Sequence, residues 1–419
     1  MNGGADLVAV FLRWTWWRAL LHRGWWLVTS VYLVVDAGLS PSQLVVIGAA
    51  QAAVGLVFEI PAGVLADTIS RKWSLVLSHA LMGTAMIATG LVTDFGPLIA
   101  TQMLWGLSWT FSSGADVAWI TDELDEPARI SGVLVRAGRA ELTGAAAGLV
   151  GVGALGTLLD RSTAIVLAGA AMLLLGLYVA VRFHERRYVP ASTRRWAASW
   201  SILVRGTALV RSSRALLLVF AATFLVNGAW VGAGRLWPKR VVDLGLPVDP
   251  VVWFTVLGVL TLLAGAAALR VVEARIDDGP TALRGYVVAC SAGVIGLVVL
   301  AGAPEGVSAS AAVLLVVGIA VPLTRTIGTI WVNRQTSTDV RATVHSFLAQ
   351  AEYLGEIVAG LGIALVARAA GLSPALVACA ALFAVTIALV RLGYGDAARW
   401  PTTKSSRIES ANRSPVNPA

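Results

Sequence analysis

Six ionisable side chains stand inside long apolar runs of this sequence: Glu59, Asp116, Glu141, Arg325, Glu352 and Glu356. A charge surrounded by hydrocarbon costs roughly 3 kcal/mol on insertion scales, so such a group is either functional or held in a pair. Glu352 and Glu356 are one helical turn apart and would share a face. Arg325, in the preceding apolar run, needs a buried anion, and either glutamate answers that need. A carboxylate in such a place could take up and release a proton; the plainer alternative is a static pair that fixes packing. Asp116 and Glu141 lie nearer the ends of their runs, and Arg136 and Arg139 are close enough in sequence to pair with Glu141. Asn227 offers an amide to a cavity or to a neighbouring helix, and Asp36 reads as a solvated acid.

Other chemistries lack their residues. His22, His79, His184 and His345 make no zinc-ligand spacing, and HERRY at 184–188 lacks a second histidine. None of Lys72, Lys239 and Lys404 follows a glycine, so there is no P-loop. GVGALG at 151–156 matches a dinucleotide fingerprint as a string, but no strand precedes it. With GAAAG at 144–148 it reads as a small-residue face for close helix packing. Cys290 and Cys379 each lie in an apolar run and read as core residues. No catalytic set, cofactor or metal is expected, and the net charge of +8 is not read as a nucleic-acid footprint.

The elements that must position the charges follow from composition. Of 419 residues, 57% are hydrophobic and 13% charged, and the mean hydropathy is +0.77. An ordinary soluble domain carries roughly 25% charged residues. A lipid bilayer is therefore the main solvent, and spanning segments must be helices, because hydrocarbon gives an exposed amide no partner. Twelve apolar runs are each close to the ~20 residues a span needs. They lie near 20–38, 43–66, 73–93, 97–121, 133–158, 162–183, 214–237, 251–272, 284–303, 309–332, 344–367 and 373–394. With the N-terminus inside, inner segments hold 26 Arg and Lys against 5 outside, Arg325 lying within a span. Both termini are thus expected in the cytoplasm. Trp14, Trp16, Trp17, Trp25 and Trp26 read as an interfacial belt at the start of the first span.

The expected organisation is an all-α membrane protein with a six-helix bundle over 1–183, a cytoplasmic linker over 184–213, a second bundle over 214–395 and a disordered tail over 396–419. The halves resemble each other at an offset of 212: Gly106, Trp119 and Arg129 recur as Gly318, Trp331 and Arg341. One residue out of register, AELTG at 140–144 recurs as AEYLG at 351–355. Parallel repeats of this kind place a site between the halves near the midplane.

The stretch EIPAGVLADTISRK at 59–72 follows the second apolar run. Its Gly63, Leu65, Ala66, Asp67, Arg71 and Lys72 fit the signature Gly-x-Leu-Ala-Asp-Arg-x-Gly-Arg-Lys of the loop between helices two and three in the major facilitator superfamily, which the chain resembles. Thr68 stands where Arg is usual and Ser70 where Gly is usual. WTFSSGADVAWITDEL at 109–124 also looks like the fourth helix of drug-exporter-like members. Many proton-coupled members carry Arg four residues before the helix-four glycine, where this chain has Gln102 before Gly106. Many antiporters have Gly-Pro in helix five, where this chain has GAAAGLVGVGALG. The resemblance implies a monomeric plasma-membrane secondary transporter working by alternating access, with proton-coupled efflux of small amphipathic molecules as the leading reading. Import of a nutrient and a transport-inactive sensor or scaffold are the rivals. The resemblance also implies that Asp67, Arg71 and Lys72 help hold the halves together in the outward-open state. Gly63 is expected to admit a neighbouring helix, and Glu352 or Glu356 to carry the proton.

Overall fold

In a computed structural model of the chain, residues 3–190, 214–273, 275, 279–335 and 338–397 are described, and among them no strand occurs. Twelve helical spans follow one another. In the first half these are α1 (Gly3–Val35), α2 (Pro41–Thr68), α3 (Arg71–Gly90), α4 (Phe95–Ser112 and Ala115–Leu124), α5 (Pro127–Leu158) and α6 (Arg161–Arg182). In the second they are α7 (Arg214–Asp243), α8 (Pro250–Glu273), α9 (Gly279–Gly302), α10, α11 (Thr338–Ala370) and α12 (Leu372–Ala397). Span α10 comprises Gly306–Val313, a π-helical turn at Leu314–Ala320, and Val321–Gln335. Most of the 184–213 linker and all of the tail beyond 397 lie outside the described residues.

Nine spans, α2 and α5 to α12, are long and apolar enough by themselves to cross a bilayer. The other three are more polar because they face protein. Thr101, Gln102 and Ser108 on α4, and Ser74, Ser78 and His79 on α3, are all buried. On α1, Trp14 and Trp25 are core residues at 1% and 0% exposure. The interfacial reading of the tryptophans is thus corrected for Trp14, Trp25 and Trp26. Helix α1 begins at Gly3, well before the apolar run, so these rings lie inside the bundle.

The repeat in the sequence is a repeat in packing. A Cβ added at Gly144 would lie 2.3 Å from the Trp16 carbonyl oxygen of α1. One added at Gly355 would lie 2.1 Å from the Phe224 carbonyl oxygen of α7. The shared A-E-x-x-G string therefore presses the fifth helix of each half against its first. Likewise Gly106 of α4 closes on the Gln51 backbone of α2, and Gly318 of α10 on that of Thr261 in α8, with added Cβ contacts near 3.3 Å. Small residues permit such close helix contact without any hydrophobic drive between helices in lipid.

Two spans depart from regular helix. α4 breaks at Ser113–Gly114, where Gly114 adopts φ +73°, a left-handed conformation that glycine takes without steric penalty. α10 widens into its π-helical turn just before the segment bearing Arg325, a distortion often found at functional positions.

Candidate functional site

A cavity of about 710 Å³ lies between the halves, walled by α1, α2, α4, α5, α7, α8, α10 and α11. That volume suits a drug-sized molecule. One side is an aromatic wall. His22 stacks on Trp105 at 5.5 Å and 12°, Trp105 on Trp109 at 6.1 Å, and Trp26 lies against Trp105 at 5.6 Å. Arg23, Arg235, Arg325 and Glu356 are the arginine and carboxylate side chains lining it.

Arg235, at the very end of the apolar run 214–237, counts among the outer charges in the sequence reading, but α7 continues to Asp243 and carries it into the cavity wall. Its guanidinium donates to Gln51 Oε1 of α2 and lies 4.6 Å from the ring centre of Trp26. Gln51 Nε2 donates to Gln102 Oε1 at 3.2 Å, and Gln102 Nε2 to Thr89 Oγ1 at 3.1 Å. A chain of neutral amides and hydroxyls thus runs from the cavity into the first bundle through Gln102, the residue that departs from the usual Arg. The spacing of Trp230 and Trp237, seven residues apart and both in the cavity wall, is the sequence signal that marks this face of α7. Arg23 of α1 also lies in the wall, because α1 starts as early as Gly3.

Glu356 lines the cavity, within electrostatic range of Arg325, Arg235 and Glu352. Arg325 also lines it, but forms no contact ion pair with Glu352 or Glu356 among the described residues. The expected pair is instead a field across open space, because the two helices diverge around the cavity. Glu352 is exposed beside it and feels the charges of Arg325 and Glu59. Glu141 is exposed on α5 and its charge acts on Arg23; among the described residues neither Arg136 nor Arg139 forms a contact ion pair with it. Asn227 is buried but does not reach the cavity: its amide donates to Thr223 O on its own helix at 2.9 Å. Asp116 accepts from Arg18 at 3.2 Å, tying α4 to α1.

Glu59 links the halves. Ser113, freed by the α4 break, donates to its Oε1 at 2.7 Å, and the Tyr353 hydroxyl of α11 to its Oε2 at 3.1 Å. Tyr353 fits over Gly55, where an added Cβ would meet the ring at 2.5 Å. This link lies toward the end of the bundle where α1 starts and α12 finishes. At the opposite end, Asp36 is not simply solvated. Arg161 donates to it twice, at 2.5 and 3.0 Å, and reaches Asp249 of the second half at 3.7 Å. There α5 and α8 also touch, through Gly153 with Thr255 and Gly156 with Val251.

The α2–α3 turn is a dense brace. Arg71 bonds Asp122 and the Ala118 carbonyl of α4, lies 3.6 Å from Asp67 and packs over Tyr188. Asp67, Ala118 and Asp122 belong to the first half, and Tyr188 to the segment after α6. Ser70 takes the usual glycine position with an extended backbone, φ −175°, and caps α3 by accepting from Trp73 N. It also donates to Glu185 at 2.5 Å, and Glu185 accepts from Lys72 N at 2.8 Å. HERRY, empty as a metal motif, is thus the strap that ties the segment after α6 to this turn. The Lys72 side chain lies over Trp73 instead of joining the ion cluster. Gly63 is corrected: nothing lies within 4 Å of a Cβ added there, because its face of α2 turns away from neighbouring helices. The close approach falls two turns earlier, at Gly55.

The family model of the Major Facilitator Superfamily matches residues 19–360. An uncharacterized MFS-type transporter, YxaM, of Bacillus subtilis (strain 168) is 22% identical over 353 residues, 83% of this chain and 86% of that protein. The nucleoside transporter NupG shares the fold at a TM-score of 0.73 and 13% identity, covering 94% of this chain and 99% of its own. A bacterial homolog of the human lysosomal transporter Spinster, in an inward-facing and unoccupied conformation, gives 0.71 and 14%, with 96% and 99% covered. The human organic anion transporter MFSD10 (TETRAN) gives 0.60 and 17%, with 93% and 100% covered. With its twelve spans, its duplicated packing and a model match over most of its length, this chain belongs to the Major Facilitator Superfamily and is a multi-pass membrane transporter.

Proposed function

We propose that this protein exports small amphipathic molecules across the plasma membrane in exchange for protons, by alternating access between two bundles divided at 184–213. The observation that carries the reading is the cavity between the halves, with its single carboxylate, Glu356, facing Arg235 from α7 and Arg325 from α10, and Glu352 one turn away on its own helix. Arg235 bonds Gln51 of the first half, so protonating Glu356 changes the charge that Arg235 meets at the seam between the halves. A ligand or proton that interacts differently with two arrangements of the halves shifts their populations.

The contacts between α5 and α8 at the Arg161 end support assigning this arrangement to the inward-facing state, and the 26-to-5 charge bias supports cytoplasmic termini. Asp36, Arg161 and Asp249 then form the outer latch, and Glu59 with Tyr353 an inner link that moves with the α2–α11 seam. The brace at Asp67 and Arg71 is proposed to steady the inner end through the cycle. The likeness of 109–124 to drug-exporter helices supports the outward direction, and the protein is proposed to work as a monomer.

Accumulation of lipophilic dyes and antibiotics in cells tests this reading. Wild type should lower accumulation, a protonophore should abolish the effect, and Glu356→Gln should match cells without the protein. Equal accumulation for every compound, with the protein verified in the membrane, would overturn export. Activity that persists with the protonophore would overturn proton exchange.

A further inference from the structure

Three guanidiniums, Arg23, Arg235 and Arg325, share the cavity wall with one carboxylate, Glu356. Among the described residues none of the three is in a contact ion pair with an acid. The polar partner of Arg235 is the neutral amide of Gln51. The Tyr353 hydroxyl that also lines the wall is occupied by Glu59. Three cations against one acid give the cavity a surplus of positive charge, and its apolar walls focus that potential. Beside it stand the indoles of Trp26 and Trp105 with the His22 ring, and the Arg235 guanidinium lies 4.6 Å from the Trp26 ring centre. A cationic group and a flat apolar surface are thus offered side by side.

We propose that the cargo is an organic anion: a planar aromatic body bearing a carboxylate-type oxyanion, the acid bound by Arg235 and Arg325 and the ring seated against Trp26 and Trp105. The assignment rests on the transport reading and specifies its substrate class. Guanidinium matches a carboxylate with two parallel hydrogen bonds, which an ammonium cannot do with the same fixed geometry. A cationic amphipath would meet three like charges and one acid, and that juxtaposition is the means by which the site rejects it.

The test uses the full chain in lipid nanodiscs with two charge-swapped probes, 2-naphthoate and 2-naphthylmethylamine, read by quenching of intrinsic tryptophan fluorescence. The naphthoate should bind at least tenfold more tightly than the amine. Arg235→Gln and Arg325→Gln should each weaken it at least fivefold without changing the amine, and Arg235→Lys should recover part of the loss with unfolding temperature unchanged. Equal or tighter binding of the amine, no saturable binding of either probe, or naphthoate binding indifferent to both substitutions would overturn the assignment. Alternating access is read separately, by labelling cysteines placed at either end of the cavity. Alternation without an anion preference overturns the cargo class alone. Anion binding without alternation supports the cargo class and overturns the transport reading.

Discussion

In the first half, Gly144 lets α5 settle on the Trp16 carbonyl; in the second, Gly355 does the same for α11 on Phe224. Each glycine ends an A-E-x-x-G string, and the two strings lie 211 residues apart. The next residue is Ala145 in one copy and Glu356 in the other. The packing was kept in duplicate while the chemistry diverged, so one half supplies a small-residue seam and the other the cavity's carboxylate. The corners before the sixth helices diverge too. Asp160 caps α6 by accepting from Thr163 N at 2.9 Å and Thr163 Oγ1 at 2.6 Å, whereas the equivalent Gly371 turns the chain with φ +93°.

The largest effects should come from breaking the shared packing. Gly144→Leu and Gly355→Leu force a side chain into a backbone carbonyl. Each should cost at least about 3 kcal/mol, the upper part of the usual overpacking range, and abolish monodisperse protein after detergent extraction. A large effect in only one half would break the equivalence. Next, Arg71→Ala takes the cation from Asp122 and the donor from the Ala118 carbonyl, and should destabilise by about 2 kcal/mol. Lys72→Ala, which removes only an exposed contact with Trp73, should cost about 0.5 kcal/mol; thermal unfolding in detergent compares the two.

At the corners, Gly371→Ala must place a Cβ in a left-handed conformation and should cost about 1–2 kcal/mol. Asp160 gives a smaller, pH-dependent effect. The hydrogen bonds from the Thr163 side chain and backbone hold its carboxyl below its ordinary value of 3.8. The folded state therefore favours the ionised form, and the stabilisation is present above pH 3.8 and lost as pH falls below it. The unfolding-temperature gap between wild type and Asp160→Ala should shrink across that window. Smallest of all, Gly63→Ala should stay within about 0.5 kcal/mol of wild type, since its Cβ meets open space.

Hydropathy made the twelve spans legible, because every lipid-facing turn must be apolar. The repeat was legible because the glycine seams require fixed spacing. Arg235 was hidden: a long side chain near the end of an apolar run looks the same whether it points to water or into a cavity. The Glu59–Tyr353 link and the Gln51–Gln102 chain join residues far apart in sequence, and no periodicity encodes such pairings. Gly63 misled for the opposite reason, since a motif glycine suggests close packing while the helix face it occupies depends on its neighbours. Glu356 could be read as a membrane acid, but its partners across the cavity emerged only with the fold.

The most direct test of Glu356 as the proton-coupling carboxylate uses proteoliposomes and the best-transported compound from the dye and antibiotic panel. Exchange across the membrane without a gradient is compared with accumulation driven by an imposed pH gradient. Glu356→Gln should retain exchange and lose gradient-driven accumulation, while Glu352→Gln keeps both. Gradient-driven accumulation by Glu356→Gln at the wild-type rate and pH dependence would contradict the assignment.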